Sequence, residues 1–145
     1  MSVIHKFVGQ WGEVFKWEGA RFRRYGNGAS EGASETWLIG KAEQAQNFAL
    51  RYYELEGGGH SRKETHAHDH GILFLRGAGH VLIENDVHGV AEGDVVYIAP
   101  NEPHQIINTS DEVLGWLCII PARRVKNDKT VWAEEGLDDL VVVSD

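Results

Sequence analysis

Cysteine is nearly absent from this 145-residue sequence, where Cys118 stands alone. A single thiol excludes an internal disulfide framework and a Cys-based zinc cluster, and its neighbours Leu117 and Ile119 predict a reduced thiol in the core. Basic charge is scarce as well. Fourteen Lys and Arg against 22 Asp and Glu give a formal charge of -8, so the chain lacks the basic face that phosphate neutralisation needs. No nucleic acid and no membrane is expected as a partner. No apolar run approaches the roughly 18–20 residues that cross a bilayer, and the amino terminus lacks the apolar stretch of a signal peptide. The expected compartment is cytoplasmic. Also missing is any sustained apolar period of 3.6 residues, which argues against long helices.

What is present points to a β domain. The length suits one domain with a core, and 42% hydrophobic with 25% charged residues is ordinary for a globular chain. From about residue 47, short β-favouring runs alternate with turn chemistry at the spacing of an all-β sandwich or barrel. The runs are 47–56, 60–66, 70–76, 80–84, 94–98, 104–108 and 113–120. Gly57-Gly58-Gly59, Gly77-Ala78-Gly79, Asn85-Asp86 and the Pro100–Pro103 stretch separate several of them, and Pro121 ends the series. Residues 26–35 are rich in Gly and Ser and read as a loop. Before and around it, Trp11, Phe15, Trp17, Phe22 and Tyr25 are too many large apolar groups to leave in water, so this arm covers the barrel or packs on a second subunit. The three parts are thus 1–35 (arm and loop), 36–121 (barrel) and 122–145, where 141–143 form a closing strand or a tail.

Seven of the eight histidines fall between His60 and His104, and three lie in the run His66-Ala67-His68-Asp69-His70. Imidazole is the commonest metal ligand near neutral pH. Residues two apart on a strand share a face about 6.5–7 Å apart, so a His-x-His run can converge on one ion. A further ligand is needed from elsewhere, and His104, placed after a proline-containing turn, is the candidate.

With these residues in view, 57–77 (GGGHSRKETHAHDHGILFLRG) and 93–108 (GDVVYIAPNEPHQIIN) resemble the two motifs of the cupins. In the second motif Gly93 opens, Pro100 and Asn101 hold the turn, His104 is the ligand and Asn108 closes. Ala99 and Asn101 stand where the family often has proline and glycine. The first motif departs further and allows two registers. Counting back from Gly77 puts His70 at the family's glutamate position, His66 at the second histidine and Glu64 at the first, as in small manganese-binding cupins with a fourth histidine. The rival register pairs His66 with His68 and leaves only Asp69 before His70, too short for a hairpin turn. In the preferred register the metal ligands are Glu64, His66, His70 and His104, and His68 is a turn residue at the mouth and a candidate catalytic acid/base.

The resemblance implies an all-β cupin double-stranded β-helix, a jelly-roll barrel with an amino-terminal arm, pairing as a homodimer. Three imidazoles and a carboxylate suit a divalent transition metal (Mn, Fe, Ni, Cu or Zn, with Mn or Fe favoured) and leave positions open for a small-molecule substrate. The leading expectation is a metal-dependent, dioxygenase-like oxidoreductase. The alternatives are a metal-dependent isomerase or lyase and a non-catalytic small-ligand binder. Strand parity places Ile72, Phe74 and Arg76 on the face of His70, and Ile106 and Asn108 on that of His104. Arg51 or Tyr52 could orient a substrate, though the usual exposure of arginine places Arg51 on the outer face.

Overall fold

The computed structural model describes residues 1–9, 14–25 and 31–144; Trp11 and the loop residues 26–30 lie outside the described residues. Its regular structure is strand apart from one short 3-10 turn, Lys41–Glu43. A long central strand, β3 (Phe48–His60), is the spine. Along its first half it pairs antiparallel with β2 (Glu31–Ile39) on one side and β9 (Leu114–Pro121) on the other. Beyond β2 lies β1 (Arg21–Tyr25), and beyond β1 the short β12 (Val141–Val142). Beyond β9 come β4 (His70–Arg76) and then β7 (Val95–Ile98). At its far end β3 turns to pair with β8 (His104–Ile107), which continues to β5 (Ala78–Ile83) and β6 (Asp86–Ala91). The two halves form the jelly-roll barrel expected from the sequence.

The glycines do not end β3 as expected but let it bend. Gly58 has φ +79°, and a Cβ on Gly59 would meet the Glu31 carbonyl oxygen at 2.6 Å. At the same place the β2–β3 register shifts between Glu31 and Ala33. Glycine in a strand permits such a close approach and corner. The strand expected at 60–66 is accordingly replaced by a run without regular structure, in which Glu64 makes an isolated bridge with His104.

Two apolar layers hold the fold. Inside the barrel, Trp37, Leu55, Ile72, Phe74, Val81, Ile98, Leu114 and Trp116 form the main core. Outside it, Phe15 and Trp17 of the arm cover Leu38, Tyr52 and Leu117, with the Phe15 ring stacked on Tyr52 at 5.7 Å. The arm therefore packs on its own barrel. Beneath it the buried Glu54 accepts hydrogen bonds from Tyr52 Oη (2.8 Å), Arg76 Nη1 (2.9 Å) and the Phe15 amide (3.0 Å). Buried polar atoms need such partners, and this set ties arm to sheet.

The boundary drawn at residue 36 falls inside β2, and β1 also belongs to the sheet, so barrel strands begin at Arg21. β6 lies in a stretch with no expected strand. It sits at a sheet edge with mostly exposed residues, and the apolar alternation that marks a half-buried strand is absent there. After β9 a hairpin of β10 (Arg123–Lys126) and β11 (Lys129–Trp132) turns through Asn127 and Asp128, both at positive φ. That is the chemistry of a tight two-residue turn. Residues 141–142 close the sheet. Among the described residues no helix is long and apolar enough to cross a membrane.

Candidate metal centre

The cluster forms where three chain segments meet at one end of the barrel. His70 is the first residue of β4 and pairs with Ile98; His104 is the first of β8. His66 lies in the bend that precedes β4, held where its carbonyl accepts from the Asn101 amide at 2.6 Å. Asn101 has φ +66°, a conformation that asparagine tolerates better than most residues. Donor atoms of His66, His70 and His104 all lie within 4.8 Å of one another.

Neighbours set which nitrogen each ring presents. His104 Nδ1 donates to the Glu102 carbonyl at 2.9 Å, which leaves Nε2 as the lone-pair nitrogen. His70 Nδ1 lies 3.3 Å from the Cys118 sulfur, while its Nε2 is buried without a partner. Leaving such a group unpaired costs about 1–3 kcal/mol. A divalent transition metal fits this set: the rings are close-spaced, and the orphaned nitrogen is a ligand atom in waiting.

Glu64 lies outside the three-residue cluster but touches it, with Oε2 2.7 Å from His66 Nε2. His68 occupies the bend, its ring stacked on His66 at 4.7 Å and 4.9 Å from that of His70. Neither His66 and His68 nor Glu64 and His66 share a regular strand. All five residues singled out in the sequence thus come together, three as a tight group and two at its flanks.

The surroundings of His70 and His68 disfavour a charge on either ring. Burial first, then the Arg51 charge, pushes His70 down to about 2. Burial, followed by the charges of His66 and Arg51, takes His68 to about 4. Burial alone would raise the Glu64 carboxyl, but its hydrogen bond to His66 and the nearby imidazole charges hold it below its ordinary value. Neutral imidazoles and an ionised carboxylate are the forms that bind metal.

A cavity of about 410 Å³ opens from the cluster, within the usual range for small-molecule sites. Two cross-strand rows line its wall. One runs Trp37, Arg51, Cys118, Ile72; the other runs Glu35, Tyr53, Trp116, beyond which Phe74 belongs to the core. Arg51 therefore faces the interior, contrary to the outer-face expectation, and Tyr52 faces outward under the arm. Glu35, 4% exposed, accepts from Arg23 Nε (2.9 Å), Trp37 Nε1 (2.9 Å) and Tyr53 Oη (2.5 Å). Arg51 in turn donates to Tyr53 Oη and to the Cys118 sulfur at 3.1 Å. Cys118 is a buried free thiol, as expected, and burial pushes its proton loss upward. Sequence reasoning missed Glu35 and Tyr53. Their alternation with Trp37 and Arg51 was the available signal, but alternation does not say which face is inside.

Comparison with known proteins agrees with this architecture. The profile of the cupin domain matches residues 51–120. A curated relative, 1-methylthio-D-xylulose 5-phosphate methylsulfurylase of Rhodospirillum rubrum, is 44% identical over 77 residues, which are 53% of this chain and 49% of that enzyme. The match spans about half of the enzyme's length. A crystal structure of a cupin-2 domain from the same organism superposes with a TM-score of 0.71 at 31% identity, covering 85% of this chain and 81% of that one. A cupin 2 conserved barrel protein from Rhodopseudomonas palustris gives 0.67 at 30% identity, covering 76% and 77%. In fold, motif and likeness to these structures, this chain belongs to the cupin family, as a cupin-2 barrel.

Proposed function

We propose that this cupin is a metal-dependent enzyme whose ion is held by His66, His70 and His104 with Glu64 as the fourth ligand, and that it acts on a small, oxygen-rich organic molecule. The observation that carries this is the buried, unpartnered Nε2 of His70 within the three-imidazole group, on the wall of a cavity large enough for a substrate. A bound divalent metal supplies Lewis-acid polarisation of a substrate oxygen. The chain's own residues do the rest. Trp37, Ile72 and Trp116 exclude water from the wall, and His104 is kept in one tautomer by Glu102. His68 stays neutral at pH 7 beside the cluster and can take or give a proton at the mouth.

Lewis-acid chemistry of the isomerase, lyase or group-transfer kind is the reading we prefer. The R. rubrum relative is named for 1-methylthio-D-xylulose 5-phosphate, an oxygen-rich substrate of this class, and that compound is the first to assay. Nothing in the cavity singles out oxygen chemistry, so the dioxygenase expectation rests on the ligand set alone. The decisive measurement is metal content of the purified chain beside His104→Ala, Glu64→Ala and His68→Ala. About one equivalent in the wild type, lost in His104→Ala, reduced in Glu64→Ala and kept in His68→Ala, is the expected pattern. A chain that holds no metal and takes none up sinks the proposal. Oxygen consumption during turnover would restore the dioxygenase.

A further inference from the structure

Among the described residues two buried side-chain nitrogens lack a hydrogen-bond partner, and both line the cavity: His70 Nε2 and Arg51 Nε. The metal accounts for the first. The second needs its own cause.

The Arg51 guanidinium lies 5.0 Å from the Tyr53 ring centre and 5.5 Å from that of Trp37. Its two hydrogen-bond partners are the Tyr53 hydroxyl and the Cys118 thiol, both neutral at pH 7 because burial pushes their proton loss upward. Among the described residues no carboxylate is within hydrogen-bond distance of it. Glu35 is one step away through Tyr53, and it also pairs with Arg23, which reaches the exposed Asp139 at 3.6 Å. A buried cation with no anion in direct contact costs several kcal/mol, and an apolar side chain of similar length would fill the space more cheaply. Packing alone does not justify an arginine here.

The charge around the cavity points the same way. The chain carries -8 overall, yet five arginines (Arg23, Arg51, Arg62, Arg123 and Arg124) line this one cavity. Among the described residues the acidic groups that line it are Glu35, Glu64 and Glu135. The local sign is the reverse of the molecule's, and a walled cleft of one sign concentrates ligands of the other. The guanidinium fork matches the oxygens of a carboxylate or phosphate. Cys118 fixes the distance, since its sulfur lies 3.1 Å from Arg51 Nη2 and 3.3 Å from His70 Nδ1.

We propose that Arg51 determines substrate choice by binding the carboxylate or phosphate group of a small organic anion beside the three imidazoles. This rests on the reading of the cavity as a metal-dependent substrate site.

The test is calorimetric titration of the full chain, as purified and after chelation, with inorganic phosphate and with acetate. Wild type, Arg51→Met, Arg51→Lys and Arg124→Gln are compared, each with its metal content. Wild type binds one of the two ions, and which it prefers separates a phosphate ester from a carboxylate. Arg51→Met weakens that binding about tenfold or more, Arg51→Lys weakens it less, and Arg124→Gln changes it by no more than about threefold. The chelated Arg51→Met melts no lower than wild type, because a costly buried charge has gone. The proposal falls if wild type binds neither ion, if Arg51→Met binds as wild type does, or if that variant merely melts lower with its anion affinity intact. Metal retained without anion dependence refutes the role of Arg51 alone, whereas absence of metal uptake refutes the metalloenzyme reading beneath it.

Discussion

Acidifying the metal-free protein from pH 7.5 to 5.0 should cost about 2 kcal/mol of folding stability through His70 alone. In the folded state burial and the Arg51 charge hold this imidazole down to about 2, against an ordinary 6.5. Above 6.5 neither folded nor unfolded chain carries the proton, and stability is unaffected. Below it the unfolded chain binds a proton that the folded chain refuses. Stability then falls by about 1.4 kcal/mol per pH unit, over a window of roughly 1.5 units. His68, held to about 4 but partly exposed, adds a smaller loss in the same direction. Glu64 acts lower: its depressed carboxyl contributes stability above the ordinary carboxylate range that is lost only as pH falls through it. The assay is urea unfolding followed by tryptophan fluorescence, with chelator present, at pH 7.5, 6.5 and 5.0. Trp37 and Trp116, both buried beside the cluster, report the transition. His70→Asn should flatten the slope. Equal slopes in wild type and His70→Asn, or a wild type equally stable at pH 7.5 and 5.0, would refute the claim that this ring is kept neutral by its surroundings.

Packing and ion pairing give two further expected outcomes. Phe74 is 0% exposed with its ring 5.9 Å from Trp116, so Phe74→Ala should lower unfolding free energy by about 3–5 kcal/mol, read from the urea midpoint at constant slope. Glu43 takes both guanidinium nitrogens of Arg21 (2.6 and 2.8 Å), the Gly40 amide and His5. Glu43→Gln should cost about 3 kcal/mol by leaving the Arg21 charge buried without its anion. It should also loosen the arm, which faster proteolysis near residue 5 would show.

Much of the site is legible without the fold. The histidine run and the turn before His104 carry their chemistry in spacing alone, and strands at 70–76, 104–107 and 114–121 stand out because one face of each is apolar. Elements at edges do not stand out. β6 and the β10–β11 hairpin are largely exposed, so burial wrote no pattern into them. The glycine run reads as a stop because Gly breaks strands locally, whereas here it lets one strand serve both halves of the barrel.

The sequence by itself determined the class, the strand periodicity and the residues able to hold a metal, because these depend on local spacing and on side-chain chemistry. Only the tertiary structure decided the sign and shape of the cavity. Period-two alternation along β3 separates Arg51 and Tyr53 from Tyr52 and Glu54 but leaves open which pair is inside. That choice was made by β9, which sets Cys118 opposite Arg51, and by the arm, whose Phe15 and Trp17 claim the face of Tyr52. Both contacts join residues far apart in the chain, and no local pattern encodes them.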